Sequence, residues 1–132
     1  MSLEADLRAA MLAALAADPT IAGLANGVHD GRPTRATPPY VALGEMLAAD
    51  WSVKGAAGRE LRLTLVVVDT DQTPARMFAL ADAALLALAA VPRTLGSWQL
   101  GAFVHLRSLT RSIAVNAWST ELDVRVRALE LL

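Results

Sequence analysis

No cysteine occurs among the 132 residues, which excludes a disulfide framework, a thiolate metal site and a cysteine nucleophile. Lysine is nearly absent too: Lys54 is the sole example, and 12 basic residues against 13 acidic ones give a formal net charge of −1. That balance lacks the clustered positive charge on which nucleic-acid or anionic-membrane binding rests, so neither partner is expected. Aromatic residues make up 5% of the chain, although 55% is hydrophobic and the mean hydropathy is +0.40; much of the apolar total is alanine. Charges or prolines interrupt every apolar run short of the roughly 20 residues a spanning helix needs, which predicts a soluble chain. Glu4 and Asp6 stand where a secretory signal would carry bases, which predicts a cytoplasmic protein. The length fits one domain over residues 1–132, with a core that buries roughly two thirds of the unfolded surface.

Leu3, Leu7, Met11 and Ala14 or Leu15 recur at helical spacing, predicting an amphipathic helix over 3–17, with Ser2 as N-cap and Glu4 placed to pair with Arg8. Asp18-Pro19 ends it and starts a short second turn closing at Asn26-Gly27. Residues 28–30 read as a brief strand, the breaker-rich 31–39 as a loop, and 40–45 as a strand. A mobile linker over 46–58 then leads to a strand over 59–69, apolar on both faces near its C-terminal end and so expected at the centre of a sheet. Thr73-Pro74 begins an alanine-rich helix whose stripe is Met77, Leu80, Ala81, Ala84, Leu85 and Leu88, ending at Val91-Pro92. So little charge predicts cover on more than one side, from the sheet and from the first helix or another subunit.

Trp98, Leu100, Ala102, Val104 and Leu106 alternate with Gln99, Gly101, His105 and Arg107, predicting one strand, and 108–116 reads as a long turn or hairpin tip. In the last strand Trp118, Thr120, Leu122, Val124 and Val126 face one way, and Ser119, Glu121, Asp123, Arg125 and Arg127 the other. The order predicts an α+β fold: a mostly antiparallel sheet of four to five strands with two helices packed on one face.

Enzymatic signals are few. Val66-Val67-Val68 followed by Asp69-Thr70-Asp71-Gln72-Thr73 resembles the first motif of haloacid dehalogenase-like phosphatases, in which the first Asp attacks phosphorus and the second is the acid/base. The rest of such a site is missing, since Lys54 lies upstream, Asp82 inside a helix and Asp123 in mid-strand. Asp69 and Asp71 read more simply as strand-end and helix-start residues. As a calcium loop the segment has Pro74 in place of the turn glycine and Leu80 in place of the bidentate Glu. His29 and His105 lack a closely spaced second ligand. Gly96-Ser97 is not a nucleophile elbow, and Gly55-Ala56-Ala57-Gly58 lacks the Lys and Ser/Thr of a phosphate loop. No catalytic residue, metal or cofactor is expected.

Trp51, in the linker, either folds back as a lid on the core or anchors a partner. Glu121, Asp123, Arg125 and Arg127 form a charge-alternating strand face, either solvated or an ion-pair ladder between subunits. With Asp50, Lys54 and Arg59, these make up the candidate interface.

The helix ending in Leu15-Ala16-Ala17-Asp18-Pro19, the glycine-bounded Val28-His29-Asp30-Gly31, Pro38-Pro39-Tyr40-Val41, Asp50-Trp51-Ser52, Gly58-Arg59-Glu60 and the charged final strand occur in an order and spacing that resemble the tail-completion family of long-tailed phages and gene transfer agents. Met46-Leu47-Ala48-Ala49 is more apolar than the family leads one to expect. The resemblance implies a tail terminator: a hexameric ring on the last tail-tube subunits that stops their polymerisation and meets a head-tail connector or stopper protein. It would sit in the tail of a virion or gene transfer agent particle, at the head-proximal end, and be assembled in the bacterial cytoplasm. A neck or head-completion protein of the same particle is the alternative, and a small phosphatase the more distant one.

Overall fold

Leu3, Leu7, Met11 and Leu15 form the buried stripe of α1 (Leu3–Ala17) in the computed structural model, which describes residues 2–131. The Ser2 hydroxyl caps the helix by accepting from Ala5 N at 3.1 Å. Asp18 ends α1 and caps α2 (Pro19–Leu24), accepting from Ile21 N at 3.0 Å. The expected Glu4–Arg8 pair does not form. Arg8 instead donates to Asp30 at 2.8 Å and to the Gly44 carbonyl at 3.0 Å, and Glu4 pairs with Arg59. A helical i,i+4 pair stabilises by only about 0.2–0.5 kcal/mol, so tertiary partners outcompete it.

The strands are β1 (Val28–Asp30), β2 (Tyr40–Asp50), β3 (Gly58–Thr70), β4 (Thr94–Leu95), β5 (Trp98–Leu100), β6 (Val104–Ala114) and β7 (Ala117–Glu130). They form one sheet in the order β1-β2-β3-β7-β5-β4, with β6 also paired to β7. Among the described residues, seven strands replace the expected four to five, and β1 with β2 is the parallel pair in an otherwise antiparallel arrangement.

Two long segments differ from expectation. Residues 46–50 continue β2 beyond a register shift between Leu43 and Met46, so the linker shrinks to the hairpin connection 51–57. Residues 108–114 belong to β6, and only Val115-Asn116 turns, with Asn116 at φ 55°. The strand expected from Trp98 to Arg107 is accordingly split between β5 and β6. Both sit against the same edge of β7: β5 at Ala128–Glu130, β6 at Ala117–Arg125.

One face of the sheet is the core face. Leu61, Leu63, Leu65 and Val67 of β3 and Leu122, Val124, Val126 and Ala128 of β7 join the stripes of α1 and α3 (Ala75–Ala87) in a single buried cluster. Each fully buried Leu or Met there contributes roughly 1.5–3 kcal/mol. Pro74, not Thr73, stands at the N-cap of α3, and the helix continues as a 3-10 turn over Leu88–Ala90. Among the described residues, no helix is long and apolar enough to cross a membrane.

Gly58 opens β3 where the hairpin closes most tightly. A Cβ there would lie 2.5 Å from the Trp51 carbonyl oxygen and 3.0 Å from Leu129 Cδ2. Gly58→Ala is therefore expected to lower the unfolding free energy by about 1–3 kcal/mol in urea titration. A loss under about 0.5 kcal/mol would mean that the hairpin yields without strain.

Candidate functional site

The face of the sheet turned away from α1 and α3 carries the charge. Directly opposed residues in antiparallel strands share a face, and the β3–β7 register sets Glu60 against Arg127, Arg62 against Arg125, Thr64 against Asp123 and Val66 against Glu121. Arg127 donates to Glu60 at 3.0 Å, and Thr64 donates to Asp123 at 2.9 Å. Arg62 and Arg125 are a like-charged cross-strand pair. Arg62 leans along its own strand to Glu60 at 3.3 Å, whereas Arg125 has no ion pair or side-chain hydrogen bond among the described residues. Arg107 of β6 completes the row, donating to Asp123 at 2.7 Å, and Arg32 reaches from its loop to Glu121 at 2.8 Å.

These contacts shift the acids. The hydrogen bond from Arg107 holds the Asp123 carboxyl below its ordinary range, helped by Thr64, although burial pushes the other way. Glu60 is likewise lowered, chiefly by the hydrogen bond from Arg127 and then by Arg62. The same Asp123 bond raises Arg107.

Two adjoining hollows run along this face, of about 460 and 420 Å³, sharing Glu45 and Thr64. The first has an apolar rim of Met46, Leu47 and Leu106 over a floor of Arg62, Arg107 and Asp123. The second reaches toward a small buried cluster of Ala42, Val66 and Val68 beside Tyr40. They form a shallow trough with a charge-paired floor.

The eight sequence candidates fall into three places. Glu121, Asp123, Arg125 and Arg127 lie in one row on this face, and all but Arg125 are bonded within the chain. Trp51 lies beside that row: its ring is covered by the Arg127 guanidinium at 4.9 Å from the centroid, and its backbone N–H donates to the Gly58 carbonyl at 2.9 Å. Asp50 accepts from Ser52 at 2.7 Å, and Lys54 stands exposed at the hairpin tip without an ion pair among the described residues. Arg59 is on the opposite face, paired with Glu4 and set 5.6 Å over the Trp98 ring. Glu60, Arg62, Arg32 and Arg107 were not singled out from the sequence. Opposing β3 with β7 would have indicated Glu60 and Arg62, but Arg107 stood in a strand of mistaken phase.

The phosphatase-like segment has no such geometry. Asp69 is 1% exposed, and both its oxygens accept from Arg76, at 2.8 and 2.7 Å. Asp71 bonds the backbone N–H of Gln72 at 2.8 Å. Strand β3 has antiparallel neighbours on both sides, not the parallel sheet that such a phosphatase requires. His29 lies edge-on to Tyr40, and His105 is 2.8 Å from the Ser108 hydroxyl. Among the described residues, no group of three or more His, Asp or Glu could hold a metal ion.

Residues 9–129 match the family model described as tail completion protein gp17. Among solved structures, 23 chains match. One belongs to a structure described as the virion of native gene transfer agent (GTA) particle: it is 27% identical, the alignment covers 97% of this chain and 98% of that one, and the TM-score is 0.84. No curated protein sequence matches.

The lowered carboxyls fix a pH dependence. An acid whose folded pKa is depressed adds stability above its unfolded value, near pH 4, and that stability is lost as pH falls through the folded value. Asp123→Asn is expected to cost up to about 1 kcal/mol at pH 7, with the difference from the unsubstituted chain shrinking below pH 4. Urea titrations at pH 7 and pH 3 test this. A difference that persists undiminished at pH 3 would contradict the assigned Arg107 and Thr64 bonds.

Proposed function

The chain belongs to the tail completion protein gp17 family, and from that premise we propose that it is the tail terminator of its particle: a ring that caps the tail tube, stops its growth and joins it to the head connector. That it has a structural role in a phage-like tail follows from the family and from the likeness to a gene transfer agent particle. The observation that carries the finer reading is the completeness of that likeness, which extends over nearly the whole of both chains. Binding then performs the task. The buried, doubly bonded Asp69 is consistent with a protein without enzymatic chemistry.

Within this reading, the ends of the sheet do different work. The hairpin tip 51–57 contacts the tail tube through the unpaired Lys54 and, beside it, Asp50. Trp51 and Gly58 stiffen its base, because the ring is clamped under Arg127 and the chain closes there. Arg125, a cation left beside Arg62 with no acid of its own, offers the charged row a point of attachment for a carboxylate on a neighbouring protein. Glu121, Asp123 and Arg127 hold that row in place from within the chain. Arg59 contributes from the helix side by tying α1 to β3. Six copies in a ring, a tail-tube protein below and a connector or stopper protein above are the partners this reading names. The ring forms in the cytoplasm of the host and remains at the head-proximal end of the tail.

Removal of the gene decides between terminator and neck protein. Without a terminator, electron microscopy should show tails of irregular length and few joined to heads. Uniform tails accumulating beside unjoined heads would point to the neck or head-completion role, and normally joined particles would overturn both. On complementation, Lys54→Glu and Arg125→Glu are each expected to lower joined particles by about tenfold, equivalent to about 1.4 kcal/mol of contact energy, with an unchanged melting temperature.

A further inference from the structure

Strand β6 adds apolar residues, interspersed with Arg107 and Arg111, to the charged face of the sheet it joins. The register places Val104 opposite Arg125 and Leu109 opposite Glu121, on the charged face, while His105, Ser108 and Thr110 lie opposite Val124, Leu122 and Thr120, on the core face. Val104, Leu106 and Leu109 are each 39% exposed, and every residue of the strand is solvent-accessible. The chain's own helices lie over the other face, so they cannot cover these side chains. An exposed edge strand of this kind calls for cover by another molecule.

The opposite layer carries a matching surface. On α3, Phe78, Asp82 and Leu86 follow at intervals of four on the side away from the core, with Phe78 44% and Leu86 77% exposed. Asp82 has no ion pair or hydrogen bond among the described residues, and neither does the Arg111 side chain on β6. Asp82 stands about 6 Å along the axis from Leu86, and Arg111 about 7 Å along the strand from Leu109. Laying Leu86 over Leu109 therefore brings an unpaired acid to an unpaired base.

We propose that α3 of one copy packs, through Phe78, Asp82 and Leu86, on the exposed face of β6 of a second copy. This contact between copies rests on the ring reading above and specifies how the ring is closed. The two surfaces differ and both are present on each chain, so the contact is heterologous and propagates from copy to copy until its rotation closes. It repeats between chains what the fold does within one, an alanine-lined helix covering an apolar strand face. The Asp82–Arg111 pair fixes the register.

The absence of cysteine makes the test clean. Particles are built with a chain carrying Leu86→Cys and Leu109→Cys, treated with a short bismaleimide, and run on a denaturing gel. A ladder rising beyond dimer is expected. Dimer alone would mean a two-fold contact and would overturn the proposal. So would an absence of cross-linking in particles that contain the chain, which would leave the tail role standing. Unsubstituted chain that never enters particles would remove the tail reading and this contact together. In parallel, Asp82→Arg and Arg111→Asp are each expected to lower joined particles about tenfold, with recovery when combined. Equal loss in the combined variant would overturn the pairing.

Discussion

The uninterrupted pairing of β3 with β7 is the constraint on which the rest depends. All 13 residues of β3 oppose β7 without a bulge, so the two strands stay in phase and divide their side chains consistently between two faces. One face becomes continuously aliphatic and accepts α1 and α3. The other carries a row of charges from Glu60 and Arg127 to Glu121, in which Arg127 and Glu60 pair as directly opposed residues. Neither surface could be sustained if the register slipped by one residue, because every side chain would change face.

That same constraint explains what was legible in the sequence. Helices α1 and α3 and strands β3 and β7 keep strict periods of 3.6 and 2, and their buried stripes follow directly from Leu3-Leu7-Met11-Leu15, from Leu61-Leu63-Leu65-Val67 and from Leu122-Val124-Val126. The misread segments are those with bulges. The shift between Leu43 and Met46 interrupts alternation in β2, so 46–49 resembled a linker. Shifts at His105/Arg107 and Ser112/Ala114 do the same in β6, so residues 108–114 read as part of a turn. A bulge inserts one residue and reverses the phase beyond it, erasing the signal that identifies a strand.

The candidate residues were legible to the same degree. The row Glu121, Asp123, Arg125 and Arg127 could be read because β7 alternates cleanly. Its partners could not, since Arg32 lies 89 positions from Glu121 and Arg107 sits just past a bulge. Knowing the partners changes the meaning of the row: three of its four charges are paired within the chain, and the remaining Arg125 is distinguished by having no ion-pair partner among the described residues. Trp51 shows a similar change. Its ring is stacked under Arg127 of the charged row at the foot of the hairpin.

The bulge at His105/Arg107 also sets the limits of what the domain can cover for itself. On either side of it, β6 places apolar residues, Val104 before and Leu109 after, on the face where β7 presents charge, and helices committed to the core face cannot reach them. Yet an eleven-residue edge strand with three apolar side chains on one face is a hazard in a free chain, and Arg107 and Arg111, interspersed among them, are the kind of charged gatekeeper that discourages indiscriminate edge pairing. Arg107 is already bound to Asp123, so it repels without recruiting. Arg111 has no such partner, so it can both deter an apolar strand and reward a surface that brings an acid. Selectivity of this kind, in which one charge penalises the wrong contact and is neutralised by the right one, suits the contact between copies proposed above.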